Sequence, residues 1–156
     1  MISIFGVVSV IIAVVSVAII VLHNRLMLKR TPVDAYFTAL EDLIRDKIED
    51  LYHTSPPESE LRDLCSLYVD LDLDSMLKAL PEISRACESG LECNISGSDE
   101  SAKAIQETTE ALNLSIQEYN ALITGSIPMK LMAQMLTLTT ESPIDMETLA
   151  SPPLSE

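Results

Sequence analysis

From Met1 to Leu22 no side chain carries a charge, and apolar residues fill every face. The only departures from Met, Ile, Phe, Val, Ala and Leu in this run are Ser3, Gly6, Ser9 and Ser16. Twenty-two residues at the helical rise span roughly 33 Å, enough for a hydrocarbon core of about 30 Å. β-Branched residues favour strand in water, but a chain in lipid must satisfy its own backbone, so the run predicts one transmembrane helix over 1–22. A cleaved signal peptide is the rival reading. It calls for a basic residue before the apolar run and a small-x-small cleavage site after it. Here no Lys or Arg precedes the run, and Leu22-His23-Asn24-Arg25 follows it, which favours a retained anchor.

Beyond the anchor the spacing turns amphipathic. Val33, Phe37, Leu40, Ile44, Ile48 and Leu51 form one stripe, with acids and Arg45 on the other faces. Pro32 either kinks a continuous helix or opens a new one at its first turn. Thr54-Ser55-Pro56-Pro57 reads as a loop. A second helix is expected over Glu58–Leu71, with Leu61, Leu64, Tyr68 and Leu71 on its inner side. A third is expected over Asp74–Glu88, with Leu77, Leu80, Ile83 and Cys87 inward and Pro81 as an interruption. Residues 89–99 read as a loop. The most regular segment is Glu100–Thr124, where Ile105, Thr109, Leu112, Ile116, Tyr119 and Ile123 make a heptad seam of coiled-coil type. Gly125 stops it, and Pro128 opens a short apolar helix over Met129–Leu138. Residues 139–156 hold three Pro, four acids and no base, and are expected to be a disordered acidic tail. Strand signals are almost missing. The expectation is an all-α chain: a single N-terminal transmembrane helix, then an antiparallel helical bundle over 23–138.

Charge then fixes an orientation. The chain of 156 residues carries 10 Lys+Arg and 24 Asp+Glu, net −14. Three of the bases (Arg25, Lys29, Arg30) and none of the acids precede residue 31, so the remainder carries −17. The positive-inside rule places this basic collar, and residues 23–156 with it, in the cytoplasm, and the N-terminus outside the cell membrane. The acidity excludes a nucleic-acid partner, because a phosphate backbone needs a basic face. Gly6, Ser9, Ala13 and Ser16 recur on one helix face, a small-residue stripe through which two anchors could associate as a homo-oligomer. Small residues are also common in any membrane helix, and both readings stay open.

The sequence contains no recognisable catalytic constellation. Cys65, Cys87 and Cys93 are an odd number and read as buried structural thiols. His23 and His53 are the only histidines, and neither has a Glu three residues before it, so no di-metal motif forms. No phosphate-cradling Gly-rich loop occurs, and no cofactor or metal is implied. Asn94-Ile95-Ser96 and Asn113-Leu114-Ser115 match the glycosylation sequon, which is moot on a cytoplasmic face. Asn24, Asn113 and Asn120 remain as structural polar positions. Facing the core they would tie helices by side-chain hydrogen bonds, with Tyr119 donating its hydroxyl.

The same residues resemble the LemA family of bacterial membrane proteins. Asn24-Arg25-Leu26, Arg30 and Val33-Asp34 with Phe37 stand where that family has its post-anchor segment, its Arg and its Val-Asp-x-x-aromatic helix. Leu112-Asn113 and Tyr119-Asn120 keep the seven-residue step of its paired Tyr-Asn, and Ile127-Pro128 follows before an apolar helix. Ala79-Leu80-Pro81-Glu82-Ile83 is similar to its Tyr-Pro-x-Leu segment. His23 and Leu112 replace family Tyr residues, Thr109 stands at an Arg position, and the segment after the first helix differs, as in a divergent, shortened member. The resemblance implies an extracellular N-terminus and a cytoplasmic bundle. With no catalytic constellation, the expected role is a non-enzymatic interaction or scaffold protein whose partners are the membrane, unidentified proteins and a second copy of itself. The alternatives are a regulatory subunit of a membrane complex, or an enzyme with an unrecognised polar site.

Overall fold

The computed structural model describes residues 4–69, 71–89 and 98–144. Five helices account for most of them: α1 (Ile4–Thr54), α2 (Glu60–Tyr68), α3 (Leu73–Ser89), α4 (Ser98–Gly125) and α5 (Ile127–Met135). There is no strand among the described residues, and the chain is all-α.

Helix α1 is 51 residues long and passes through Pro32 without a break. At the helical rise this is about 76 Å of continuous helix. Proline cannot donate to the carbonyl one turn back, but that carbonyl belongs to Leu28, which is 72% exposed, so water or a headgroup can satisfy it. One residue earlier, the Thr31 hydroxyl donates to the Met27 carbonyl at 2.9 Å. Of the two readings of Pro32, the structure takes the continuous helix. Helix α3 likewise spans Pro81, where the sequence pointed to an interruption.

The chain divides into two compact units. The first contains Met1–Asp34 and Leu114–Pro143. Its buried residues are Leu26, Val33, Ile116, Tyr119, Ile123, Met129, Met132 and Ala133. After α5 the Thr137 amide donates to Gln134 O at 3.1 Å and the Leu138 amide to Ala133 O at 2.8 Å. Thr137 sits at φ 54. This is a Schellman ending with a β-branched residue at the left-handed position that usually takes Gly. It turns the chain out of α5 into the extended run that follows.

The second unit contains Ala35–Asn113 and Ile144–Glu156. Leu40, Ile44 and Ile48 of α1, Leu61 and Cys65 of α2, Met76, Ala79 and Ile83 of α3, and Ile105, Thr109 and Leu112 of α4 are buried. Thr109 is fully buried, and its hydroxyl donates to Ile105 O at 2.8 Å, so the one polar member of the seam needs no partner from another helix. Helix α2 starts at the N-cap Ser59, whose side chain accepts from the Arg62 amide. It is shorter than the expected Glu58–Leu71, and Leu71 is exposed. Helix α3 packs on α2. Its buried register is Met76, Ala79 and Ile83, while Leu77 and Leu80, expected inward, are half-buried. Asp72 precedes it, and a hydrogen bond from Ser75 holds the Asp72 carboxyl below its ordinary range. Arg45 donates to the Val69 carbonyl at the end of α2 at 3.3 Å and to Glu41 at 2.7 Å, placing a cation where the helix dipole is negative. Arg62 lies 4.6 Å from the centre of the Tyr52 ring.

The side chain of Cys87, all of Cys93, the Asn94 sequon and residues 145–156 of the expected tail lie outside what is described. The Cys65 thiol is buried, as expected of a structural cysteine.

Candidate functional site

Two features of the first unit stand out from its apolar core: a bare apolar helix and a polar cluster. Along residues 5–21 of α1, twelve large hydrophobic side chains are exposed, from Phe5 at 85% to Ile19 at 43%. Among the described residues nothing covers them, and none of the most apolar 18-residue window is buried. The helix is long and apolar enough to cross a membrane. On it, Gly6, Ser9, Ala13 and Ser16 are exposed. A Cβ added at Gly6 would meet nothing within 4 Å. The hydroxyls of Ser9 and Ser16 donate back to Phe5 O and Ile12 O, each at 2.8 Å, so neither brings an unsatisfied polar group into an apolar surrounding.

The polar cluster starts at the collar. Lys29 pairs with Glu118 at 2.6 Å. Arg30 divides its guanidinium among three partners. Its Nε faces Asp34 at 3.4 Å, one terminal nitrogen donates to the Tyr119 hydroxyl at 3.3 Å, and the other lies 3.8 Å from Glu141. Its carbon is also 5.8 Å from the Tyr119 ring centre. Burial disfavours the charged guanidinium, but the Tyr119 hydrogen bond and the charges of Asp34 and Glu141 outweigh it and raise the pKa above its ordinary value. Tyr119 accepts here, because an arginine has donors only, and no hydrogen bond joins Tyr119 to an asparagine among the described residues. Elsewhere, the hydrogen bond to Glu82 and that carboxylate's charge push the exposed Tyr68 phenol up, and Asp74 does the same for the Lys78 ammonium.

The asparagines divide. Asn24 is exposed. It lies two residues from buried Leu26, about 200° around the helix, and so cannot face the core that Leu26 enters. Asn120 and Asn113 do the same thing as each other, and it is not helix tying. In the first unit Asn120 Nδ2 donates to Glu141 O at 2.7 Å and Asn120 Oδ1 accepts from the Glu141 amide at 3.0 Å. In the second unit Asn113 Nδ2 donates to Ile144 O at 2.9 Å and Asn113 Oδ1 accepts from the Ile144 amide at 2.8 Å. Each primary amide reads both backbone groups of one residue, as a neighbouring strand would. Flipping either amide would set donor on donor and acceptor on acceptor. Residues 139–144 are thus an ordered strap, where the sequence reading placed the start of a disordered tail.

The sequence singled out Asn113, Tyr119 and Asn120 but not Glu141 or the strap. The one available signal was the seven-residue repeat of Asn beside a polar, Pro-containing segment. Among the described residues no group of three or more His, Cys, Asp or Glu is placed to hold a metal, and no buried side-chain nitrogen or oxygen lacks a hydrogen-bond partner. Comparison with protein-family models, curated proteins and solved structures finds no match to the chain.

Proposed function

We propose that the chain is a single-pass, membrane-anchored scaffold, non-enzymatic, with residues 1–22 in the cell membrane, the N-terminus outside and residues 23–156 in the cytoplasm. The observation that carries this reading is the all-round apolar surface of α1 before the collar. Burying a Val or Ile side chain contributes roughly 1.5–3 kcal/mol. Even halved for partial exposure, twelve such residues favour a lipid phase over water by on the order of 10 kcal/mol or more. Two further facts support retention over cleavage. Helix α1 continues without a break across residues 20–26, and Leu26, just past any cleavage site, is fully buried. The collar of Arg25, Lys29 and Arg30 supports the orientation, since only the α-amine lies on the other side. On this reading the chain is a divergent, shortened relative of the LemA family, and its partners are other membrane-associated proteins and a second copy met through the Gly6, Ser9, Ala13, Ser16 face.

Extraction in mild detergent followed by affinity purification tests the scaffold role. A companion protein recovered at fixed stoichiometry, or a homo-oligomer, is the expected result. A chain that emerges alone and monomeric at native expression levels would contradict it.

A further inference from the structure

We propose that Arg30, Tyr119 and Asn120 form a socket for one acidic residue of an extended peptide segment, with Glu141 as its resident ligand in cis. The socket goes beyond the scaffold reading and does not depend on the anchor. Asn120 takes the backbone N–H and C=O of the residue, at 3.0 and 2.7 Å. It can do so only if that residue is extended and is not proline. Arg30 lies 3.8 Å from the carboxylate, and Tyr119, fully buried, receives a second Arg30 nitrogen and so fixes the guanidinium. The flanking Thr139, Thr140, Ser142 and Pro143 are exposed, so within residues 139–143 the socket reads residue 141.

Nothing in these contacts requires the ligand to be joined to the rest of the chain. The join itself runs through Thr137 at φ 54, a conformation a β-branched residue holds at a cost. That turn is closed by carbonyls of α5 itself, the Thr137 amide on Gln134 and the Leu138 amide on Ala133, so the strap beyond residue 138 can leave the socket without unwinding the helix end. The class that fits in trans is an extended segment of a protein partner carrying Glu with a free amide. A segment with Gln fits less well, and one with Pro at that place does not fit.

The test uses the full chain in detergent micelles and watches the Asn120 side-chain amide by NMR. The probe is the capped peptide Thr-Thr-Glu-Ser-Pro, the sequence of residues 139–143. Glu141→Pro removes the amide and the carboxylate of the resident ligand. Glu141→Gln removes only its charge and keeps the backbone clamp, so it serves where the proline variant lowers helicity. The peptide should shift the Asn120 signal saturably in Glu141→Pro. It should do so at several-fold higher concentration in Glu141→Gln, and not in the wild-type chain over the same range. A peptide with Gln at the central place should bind about threefold or more weakly, since a charge-assisted contact is lost. No saturable shift in either variant overturns the socket, as does equal binding by the Glu and Gln peptides. Exchange of the wild-type Glu141 amide at unstructured rates also overturns it.

Discussion

The change Asn120→Asp alters one atom of the clamp and reverses its logic. The native amide donates to Glu141 O at 2.7 Å and accepts from the Glu141 amide at 3.0 Å. An ionised carboxylate only accepts. One bond survives, and the other becomes an oxygen facing an oxygen, next to the Glu141 side chain. A hydrogen bond contributes about 0.5–1.5 kcal/mol net, and the repulsion adds to its loss. The strap should therefore open more easily by about 1–2 kcal/mol, or roughly 5–30-fold in the open population. The assay is the protection factor of the Glu141 amide in native-state hydrogen exchange. The pH dependence has a definite sign. Closing the clamp favours the protonated acid, which donates again to Glu141 O, so the new carboxyl has a raised pKa in the closed state. Its contribution is fully present below the open-state value near 3.9 and is lost as pH rises through the closed-state pKa. Protection in the variant, relative to wild type at the same pH, should recover on acidification. Equal protection at neutral pH, or a deficit that does not shrink on acidification, would refute the reasoning.

Other perturbations separate the remaining parts. Leu112→Ala removes a fully buried member of the α4 seam and should cost about 2–5 kcal/mol in denaturant unfolding; a loss near zero would undo the seam. Thr137→Gly relieves the left-handed strain and should stabilise by up to about 1 kcal/mol, read as a raised melting temperature, whereas destabilisation would mean the conformation is not strained. Replacing Ser9 and Ala13 together with Leu should lower the crosslinked dimer fraction in membranes, and an unchanged fraction would leave that face without a role in association. The domain beyond the collar carries −17, so any dimer should strengthen as salt screens the repulsion.

The heptad seam was legible because Ile105, Thr109, Leu112, Ile116, Tyr119 and Ile123 share one face of a regular helix, and all six are buried. The stripe of α1 is legible for the same reason at Val33, Leu40, Ile44 and Ile48, while Phe37 and Leu51 are half-buried. In α3 the expected Ile83 is buried, but Met76 and Ala79 are buried in place of Leu77 and Leu80. Leucines at 77 and 80 outrank Met76 and Ala79 in hydropathy, yet the smaller pair lies where α3 is fully enclosed. From sequence, Pro32 allows either a kink or a new helix and Pro81 reads as an interruption, since propensity alone cannot tell a lost hydrogen bond on an exposed face from one in a core. The strap escaped notice for a different reason. Its order comes from two asparagine side chains and not from its own periodicity, so Glu141-Ser142-Pro143 carries no signature of extended pairing. The asparagines stand out in the sequence, but their partners lie 21 residues away for Asn120 and 31 for Asn113.

The central claim is that residues 1–22 hold the chain in a membrane with everything after them on the cytoplasmic side. Protease added to intact cells expressing the chain with a tag after Glu156, with alkaline carbonate washing of the isolated membranes, tests it most directly. The full-length tagged chain should stay in the carbonate-resistant pellet and become digestible only after the cells are opened. A tag digested from outside would contradict the orientation, and a chain released by carbonate would contradict the anchor itself.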